Sequence, residues 1–258
     1  MIIKGTQLKG VTVRDRPNLV TSGLVYYIDA GNAASYSGSG LTMTDLSGQG
    51  YAVSTLVGGP AYTNLGAASY FSFSNSSQYV ITGDMIESFI LPTNNNITIE
   101  TWVRTASGAN GVVTTEQGTS PSGLTLNQGF HNAQQNIVSS SIYQGVWNGT
   151  DNTGPVNGPV TRNVWQQYVM TYNSVTDVVW SYIDGSNGVT QTGVNRVSPM
   201  NTGGLFTYYY GIMAADPTNF GDGSALSGDW CIFRAYNRAL SATEVQQNYL
   251  ATAPRFNT

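Results

Sequence analysis

YNRALSATEVQQNYL, residues 236–250, is the single stretch of this 258-residue chain with strong helical wording. Ser241 is spaced to accept a hydrogen bond from the backbone N–H of Glu244, Glu244 to reach back to the Ser241 backbone, and Leu240 to pack on Val245, so two interlocking devices start one short helix. Everywhere else, short runs rich in Val, Ile, Thr, Tyr, Phe and Trp alternate with Gly, Asn, Asp, Ser and Pro, which is the punctuation of an antiparallel sandwich or barrel. The expected class is therefore all-β with one closing helix.

Working back from the helix, ITIETWVR at residues 97–104 gives the clearest strand. Ile97, Ile99, Thr101 and Val103 share one face, expected to be the core face, and Thr98, Glu100, Trp102 and Arg104 the other. Residues 165–172 and 178–183 read as a hairpin, turned out again at Asp184-Gly185. Further strands are expected at 24–29, 70–74, 79–82, 112–115, 136–143, 208–213 and 229–236. Roughly ten strands in one domain require two sheets or a barrel. WNGTDNTGPVNGPVT, residues 147–161, reads as a long Gly-, Asn- and Pro-rich loop and a candidate contact surface. The expected organisation is an N-terminal arm over residues 1–21, one domain over 22–252 and a tail over 253–258.

Only 9% of the residues are charged, against 30 Gly and 16 Tyr, so the surface is built mainly from Ser, Thr, Asn, Gln and Gly. Such surfaces suit permanent assemblies or sugar contact. Lys4, Lys9, Arg14 and Arg16 oppose only Asp15 and give the first twenty residues a net charge of +3, leaving −7 on the remainder of a chain at −4. The arm is either an anchor for an acidic surface or a solvated terminus, and the acidic body is a poor partner for nucleic acid. Cys231 alone forms no internal disulfide, and with Trp230 and Phe233 beside it reads as a buried, inert thiol. No charged start leads into an apolar run and no apolar segment reaches eighteen residues, so no signal peptide, membrane span or membrane partner is expected.

Chemistry is sparse. Glycoside hydrolysis needs two facing carboxylates, yet none of Glu87, Glu100, Glu116 and Glu244 is followed two residues later by Asp, and no catalytic residue is assigned. His131 stands alone in GFHNAQQ, without a relay partner in its neighbourhood. One His and one Cys cannot furnish an ordinary zinc set. Calcium is the one metal kept in view, through Asp216, Asn219 and Asp222 in ADPTNFGDG or Asp45 with Ser47 in DLSGQG, although Asx-turns use the same residues. Otherwise no cofactor is expected. For sugar stacking the candidates are Trp102, on the outer face of its strand, Trp147 in the long loop, and Tyr209, which alternation separates from Tyr208 and Tyr210.

Several phrases, in order, carry a family resemblance. GLVYYIDAGNAASYSGSG (23–40), TDLSGQG (44–50), STLVGGPAY (54–62), YFSFSNSSQYV (70–80), ITIETWVR, WQQYVMTYN, VVWSYIDG and finally YNRALSATEVQQNY together resemble the concanavalin A-like lectin/glucanase superfamily, in its laminin G-like 3 (LamG-like jelly roll) version. The resemblance spans nearly the whole body, about residues 23–250. It implies a two-sheet antiparallel jelly-roll β-sandwich with a short C-terminal helix. Met43 stands where the family often has Trp, and Cys231 near an often acidic position, which weakens transfer of a ligand or metal site. The family hosts lectins, glycosidases, adhesion modules and virion proteins, so the fold alone selects no function.

Stand-alone jelly rolls of this low-lysine composition resemble bacteriophage structural proteins. The first expectation is a non-enzymatic virion protein, a capsid decoration or a tail or fibre surface protein, docked through Lys4, Lys9, Arg14 and Arg16 onto other virion proteins and open to self-association. The alternative is a carbohydrate-binding attachment module for host surface glycans, with a glycosidase-like enzyme ranked below both.

Overall fold

The computed structural model describes residues 17–51, 53–74, 77–82, 96–119, 134–147, 152–195, 207–213 and 226–256. Among them run seventeen strands: β1 (Leu24–Asp29), β2 (Thr42–Met43), β3 (Ser54–Val57), β4 (Ala61–Thr63), β5 (Tyr70–Phe73), β6 (Tyr79–Ile81), β7 (Ile97–Thr105), β8 (Gly111–Thr119), β9 (Gln134–Val138), β10 (Ser141–Trp147), β11 (Asn152–Thr153), β12 (Val156–Asn157), β13 (Trp165–Asn173), β14 (Val178–Ile183), β15 (Ser186–Thr192), β16 (Thr207–Ile212) and β17 (Gly228–Tyr236). A single α-helix, α1 (Ala242–Thr252), follows the last strand, and a short 3-10 turn at Ala253–Arg255 follows it.

The strands form two antiparallel sheets. One has eight strands, ordered β15-β14-β13-β7-β17-β5-β4, with β1 and β5 lying end to end along the same side of β17. The other has nine, ordered β11-β10-β9-β8-β16-β6-β3-β2, with β12 beside β10. This is a jelly-roll β-sandwich: the strand and turn pattern pointed to a sandwich or barrel, and the family resemblance implied the jelly roll. Its core joins Ile28, Phe71, Ile97, Ile99, Val103, Met170 and Phe233 of one sheet to Met43, Leu56, Val80, Val113, Ile137, Ile142 and Ile212 of the other.

Polar groups cross the core as well. Gln135 Oε1 accepts from Thr101 Oγ1 at 2.8 Å and from Thr114 Oγ1 at 3.2 Å, while its Nε2 donates to Gln144 Oε1 at 2.9 Å and to the Tyr168 carbonyl at 3.3 Å. Gln144 Nε2 in turn donates to Ser181 Oγ at 2.8 Å. Every polar atom of the Gln135 amide thus has a partner, which is what allows it to be buried between sheets.

Four expectations change. The run 136–143 is two strands, because Ser139 adopts φ 56° and turns β9 back into β10. The proposed loop 147–161 is partly ordered as β11 and β12, and Asn157 anchors it by donating to the Ser181 carbonyl at 3.0 Å. The end of the expected arm 1–21 lies against the body: Val20 N donates to Asn248 Oδ1 at 3.0 Å, Gln247 Nε2 to the Asn18 carbonyl at 2.7 Å, and Val20 and Leu24 pack with Leu240 and Val245. The tail is docked too, since Arg255 grips both Asp29 oxygens at 2.6 and 2.7 Å. The first and last described segments thus both lie against α1 and the outer face of the eight-stranded sheet.

The cap of α1 forms as its spacing requires. Glu244 N donates to Ser241 Oγ at 3.3 Å, Ser241 N donates to Glu244 Oε2 at 2.9 Å, and Leu240 and Val245 share one cluster. Among the described residues no helix is long and apolar enough to cross a membrane.

Candidate functional site

Alternation on β7 sends Glu100, Trp102 and Arg104 to the outer face of the eight-stranded sheet, where each meets a different environment. Glu100 lies under α1 and is fully buried. Its Oε1 accepts from Arg234 Nη1, from Gln167 Nε2 at 2.8 Å and from Trp102 Nε1 at 3.3 Å, and its Oε2 accepts from Asn248 Nδ2 at 2.9 Å. The Arg234 guanidinium also stands 4.7 Å from the Tyr27 ring centroid. Burial is the largest single influence and opposes its charge, but the Glu100 carboxylate together with Tyr27 and Tyr236 outweighs it and holds the pKa above the ordinary value.

Trp102 is covered as well. It is 1% exposed, stacked on Tyr249 at 5.7 Å and 6° and against Phe256 at 5.0 Å, so the expected outward sugar platform does not exist at this position. Alternation sends its ring outward from the sandwich, but nothing local to β7 shows that α1 and the C-terminal segment close over it.

Arg104 reaches the rim of this covered zone and keeps 32% of its side chain exposed. Its Nε donates to Asp229 Oδ2 at 2.7 Å, and its guanidinium carbon lies 4.9 Å from the Tyr70 centroid and 5.4 Å from that of Trp165. Trp165 stacks on Phe256 at 4.8 Å, continuing an aromatic row from Tyr70 through to Tyr249.

The most open ring on this sheet is Trp180 on β14. It is 40% exposed and stacked on Tyr182 at 5.8 Å and 14°. Both rings extend over Gly188 of β15, where a Cβ would come within 2.9 Å of Tyr182 Cε1 and 3.1 Å of Trp180 Cε3. A flat, supported indole beside exposed Thr190 is chemically suited to stacking on the C–H face of a sugar. The signal for it was present in VVWSYIDG, where Trp180 alternates with buried Val179 and Ser181.

The remaining sequence candidates fall as follows. Asp45 closes an Asx-turn, Oδ1 accepting from Tyr27 N and Ser47 N, both at 2.9 Å. Trp147 ends β10, and Tyr209 sits opposite Gln117 on β16, but their side chains lie outside the described residues. So do His131, Asp216, Asn219, Asp222 and the arm residues Lys4, Lys9, Arg14 and Arg16. Cys231 is buried, and that burial pushes its thiol pKa well above the ordinary range.

Each of the seven carboxylates whose side chains are described is committed internally. Besides Glu100 and Asp45, Asp29 holds Arg255, Asp229 holds Arg104 and Ser72, Glu244 holds Arg238, Asp177 accepts from Tyr172 Oη and Asn195 N, and Asp184 accepts from Gln167 N and Gln166 Nε2. Burial raises the pKa of Asp184, with the two glutamine contacts opposing. No group of three His, Cys, Asp or Glu side chains that could hold a metal occurs among the described residues.

Comparison with solved structures finds the same sandwich in distant proteins. A Trypanosoma rangeli sialidase in complex with sialic acid aligns at TM-score 0.60 and 10% identity, over 92% of this chain and 34% of that one. Domain 4 of AbnA, a family GH43 extracellular arabinanase from Geobacillus stearothermophilus in complex with arabinotriose, aligns at TM-score 0.54 and 13% identity, over 89% of this chain and 98% of that one. The chain spans about a third of the sialidase's length. No curated protein matches it in sequence. A family model matches residues 73–246, from the end of β5 into α1, and with the two-sheet topology this establishes that the chain belongs to the concanavalin A-like lectin/glucanases superfamily.

Proposed function

We propose that the chain is a non-enzymatic structural protein of a virion surface, of the tailed-bacteriophage kind, held on the capsid or tail lattice through its basic N-terminal arm. The partition of positive charge carries the proposal. Arg104, Arg234, Arg238 and Arg255 each pair with a carboxylate, and Arg162 donates to the Ala109 and Ser139 carbonyls. The other cations, Lys4, Lys9, Arg14 and Arg16 of the arm and Arg196, lie outside the described residues, and in sequence the four of the arm face Asp15 alone, for a net charge of +3. A basic arm on an acidic body suits electrostatic docking onto an acidic lattice. The internal commitment of the described carboxylates supports a non-catalytic role, because general acid–base work needs a carboxyl group that a substrate can reach.

Deleting residues 1–16 is expected to abolish co-sedimentation with particles and leave thermal unfolding of the body unchanged. Retained co-sedimentation would refute the arm as the anchor. The boundary matters, because a deletion through residue 24 would also remove Val20 and Leu24 from beneath α1.

A second reading, carbohydrate attachment, is favoured by the exposed Trp180 ring, backed by the buried Tyr182, with Trp147 and Tyr209 as further candidates. It accords with the sugar complexes recorded for the sialidase and the arabinanase domain. The two roles are compatible on one particle. A glycan array separates them, since absence of binding at high protein concentration leaves only the structural role.

A further inference from the structure

Strand β15 is the outermost strand of the eight-stranded sheet. It pairs with β14 on one side, and among the described residues nothing pairs with it on the other. Ser186, Gly188, Val189, Thr190 and Thr192 are all exposed. Of the other strands at the margins of the described sheets, β4 has three residues and β2, β11 and β12 two each, while the six-residue β1 is covered on its far side, where Leu46 N donates to the Tyr27 carbonyl at 2.7 Å and Tyr27 N to Asp45 Oδ1 at 2.9 Å. β15 has seven, reads SNGVTQT, and carries neither charge nor proline. Its only irregularity, opposite Ser181–Ile183, lies at the turn end, so Val189–Thr192 run in regular register with Val178–Ser181. Long edges normally carry a lysine, a proline or a bulge that blocks further pairing, and β15 has none of these along its regular portion.

We propose that β15 is a homodimerisation edge, at which two copies pair their β15 strands antiparallel about a two-fold axis and join their eight-stranded sheets into one. What the edge offers is a row of backbone N–H and C=O groups, so its occupant must be an extended strand. A second copy is the occupant that the chemistry selects. Antiparallel pairing of a strand with itself is self-complementary, so one sequence supplies both surfaces of a closed two-fold contact. The body carries −7, which opposes self-association through any charged face, whereas this strand is uncharged. The bordering acids are committed, Asp177 to Asn195 N and Asp184 to Gln167 N. Threonine, valine and glutamine then face one another across the new ladder, the kinds of cross-strand neighbours that stabilise a sheet. Val189, 39% exposed, gains cover in the same step. One added strand pair buries less than the roughly 1,000 Å² of a stable interface, so the dimer is expected in the micromolar range.

Sedimentation velocity of the full chain over about 1 to 100 μM should show monomer passing to dimer. Amide exchange at residues 186–192 should slow as concentration rises. Val189→Lys, which sets like charges across the two-fold, should weaken the dimer about tenfold or more with unchanged thermal unfolding, and mixing it with Val189→Glu should restore dimer. A wild type that stays monomeric throughout, a dimer indifferent to Val189→Lys, or exchange protection of β15 that does not depend on concentration would each overturn the proposal. The last outcome would assign the edge to a segment of the same chain.

Discussion

Removing the carboxylate of Glu100 strands the Arg234 guanidinium in a site where the two side chains are 0% and 2% exposed. An uncompensated buried charge costs far more than the lost pair contributes, so Glu100→Ala is expected to destabilise by about 3–5 kcal/mol in urea unfolding. The double substitution Glu100→Leu with Arg234→Met should cost much less than the single changes combined, because both desolvated charges leave together. Glu244 behaves differently. Hydrogen bonds from Arg238, helped by those from Ser241, hold its pKa down to about 2 against the opposing effect of burial. A lowered carboxylate pKa stabilises the fold above its unfolded value, near 4.5, and that stabilisation is lost as pH falls towards 2. Between those limits the wild-type urea midpoint should fall with a steepness that Glu244→Gln lacks. Trp180→Ala, at an exposed ring, should leave stability within about 0.5 kcal/mol while removing any binding on a glycan array; full binding by this variant would move the sugar site elsewhere.

Helix α1 and the turn that follows act as a lid on the outer face of the eight-stranded sheet. The lid holds through Val245 in one cluster, Asn248 on Glu100, and Phe256 between Trp102 and Trp165. Phe256→Ala should therefore cost about 2 kcal/mol, less than a fully buried phenylalanine, and red-shift tryptophan fluorescence as Trp102 and Trp165 gain water. An unshifted spectrum would mean that the rings remain covered without it. Both the cap of this helix and the strand at residues 97–105 were legible in sequence, since each depends on neighbours within a few residues. The β9–β10 turn was not, because Ser139 is not a residue type that advertises a left-handed conformation. The short strands β2, β11 and β12 were missed for a related reason: two residues carry no periodicity, and only their partners define them.

At the scale of the whole molecule, the first and last segments of the described chain converge on the same sheet face. Asn18, Val20 and Leu24 meet α1 from one side, while Arg255 bonds Asp29 and the Ala67 carbonyl from the other. The ends consequently report on the integrity of the sandwich. Truncating residues 1–16 should leave the melting temperature unchanged, whereas truncating residues 1–24 should lower it by several degrees, as a loss of about 2 kcal/mol or more does in a domain of this size. The sequence alone determined the all-β class, the capped closing helix, the main strands and the unequal distribution of charge, because these follow from local period, local hydrogen bonding and composition. Only the tertiary structure decided that Trp102 is buried and Trp180 exposed, that Glu100 pairs with Arg234, and that β15 is an edge among the described residues. Those outcomes depend on which distant segment covers each side of a strand, and alternation along one strand separates its two faces without saying what will lie against either.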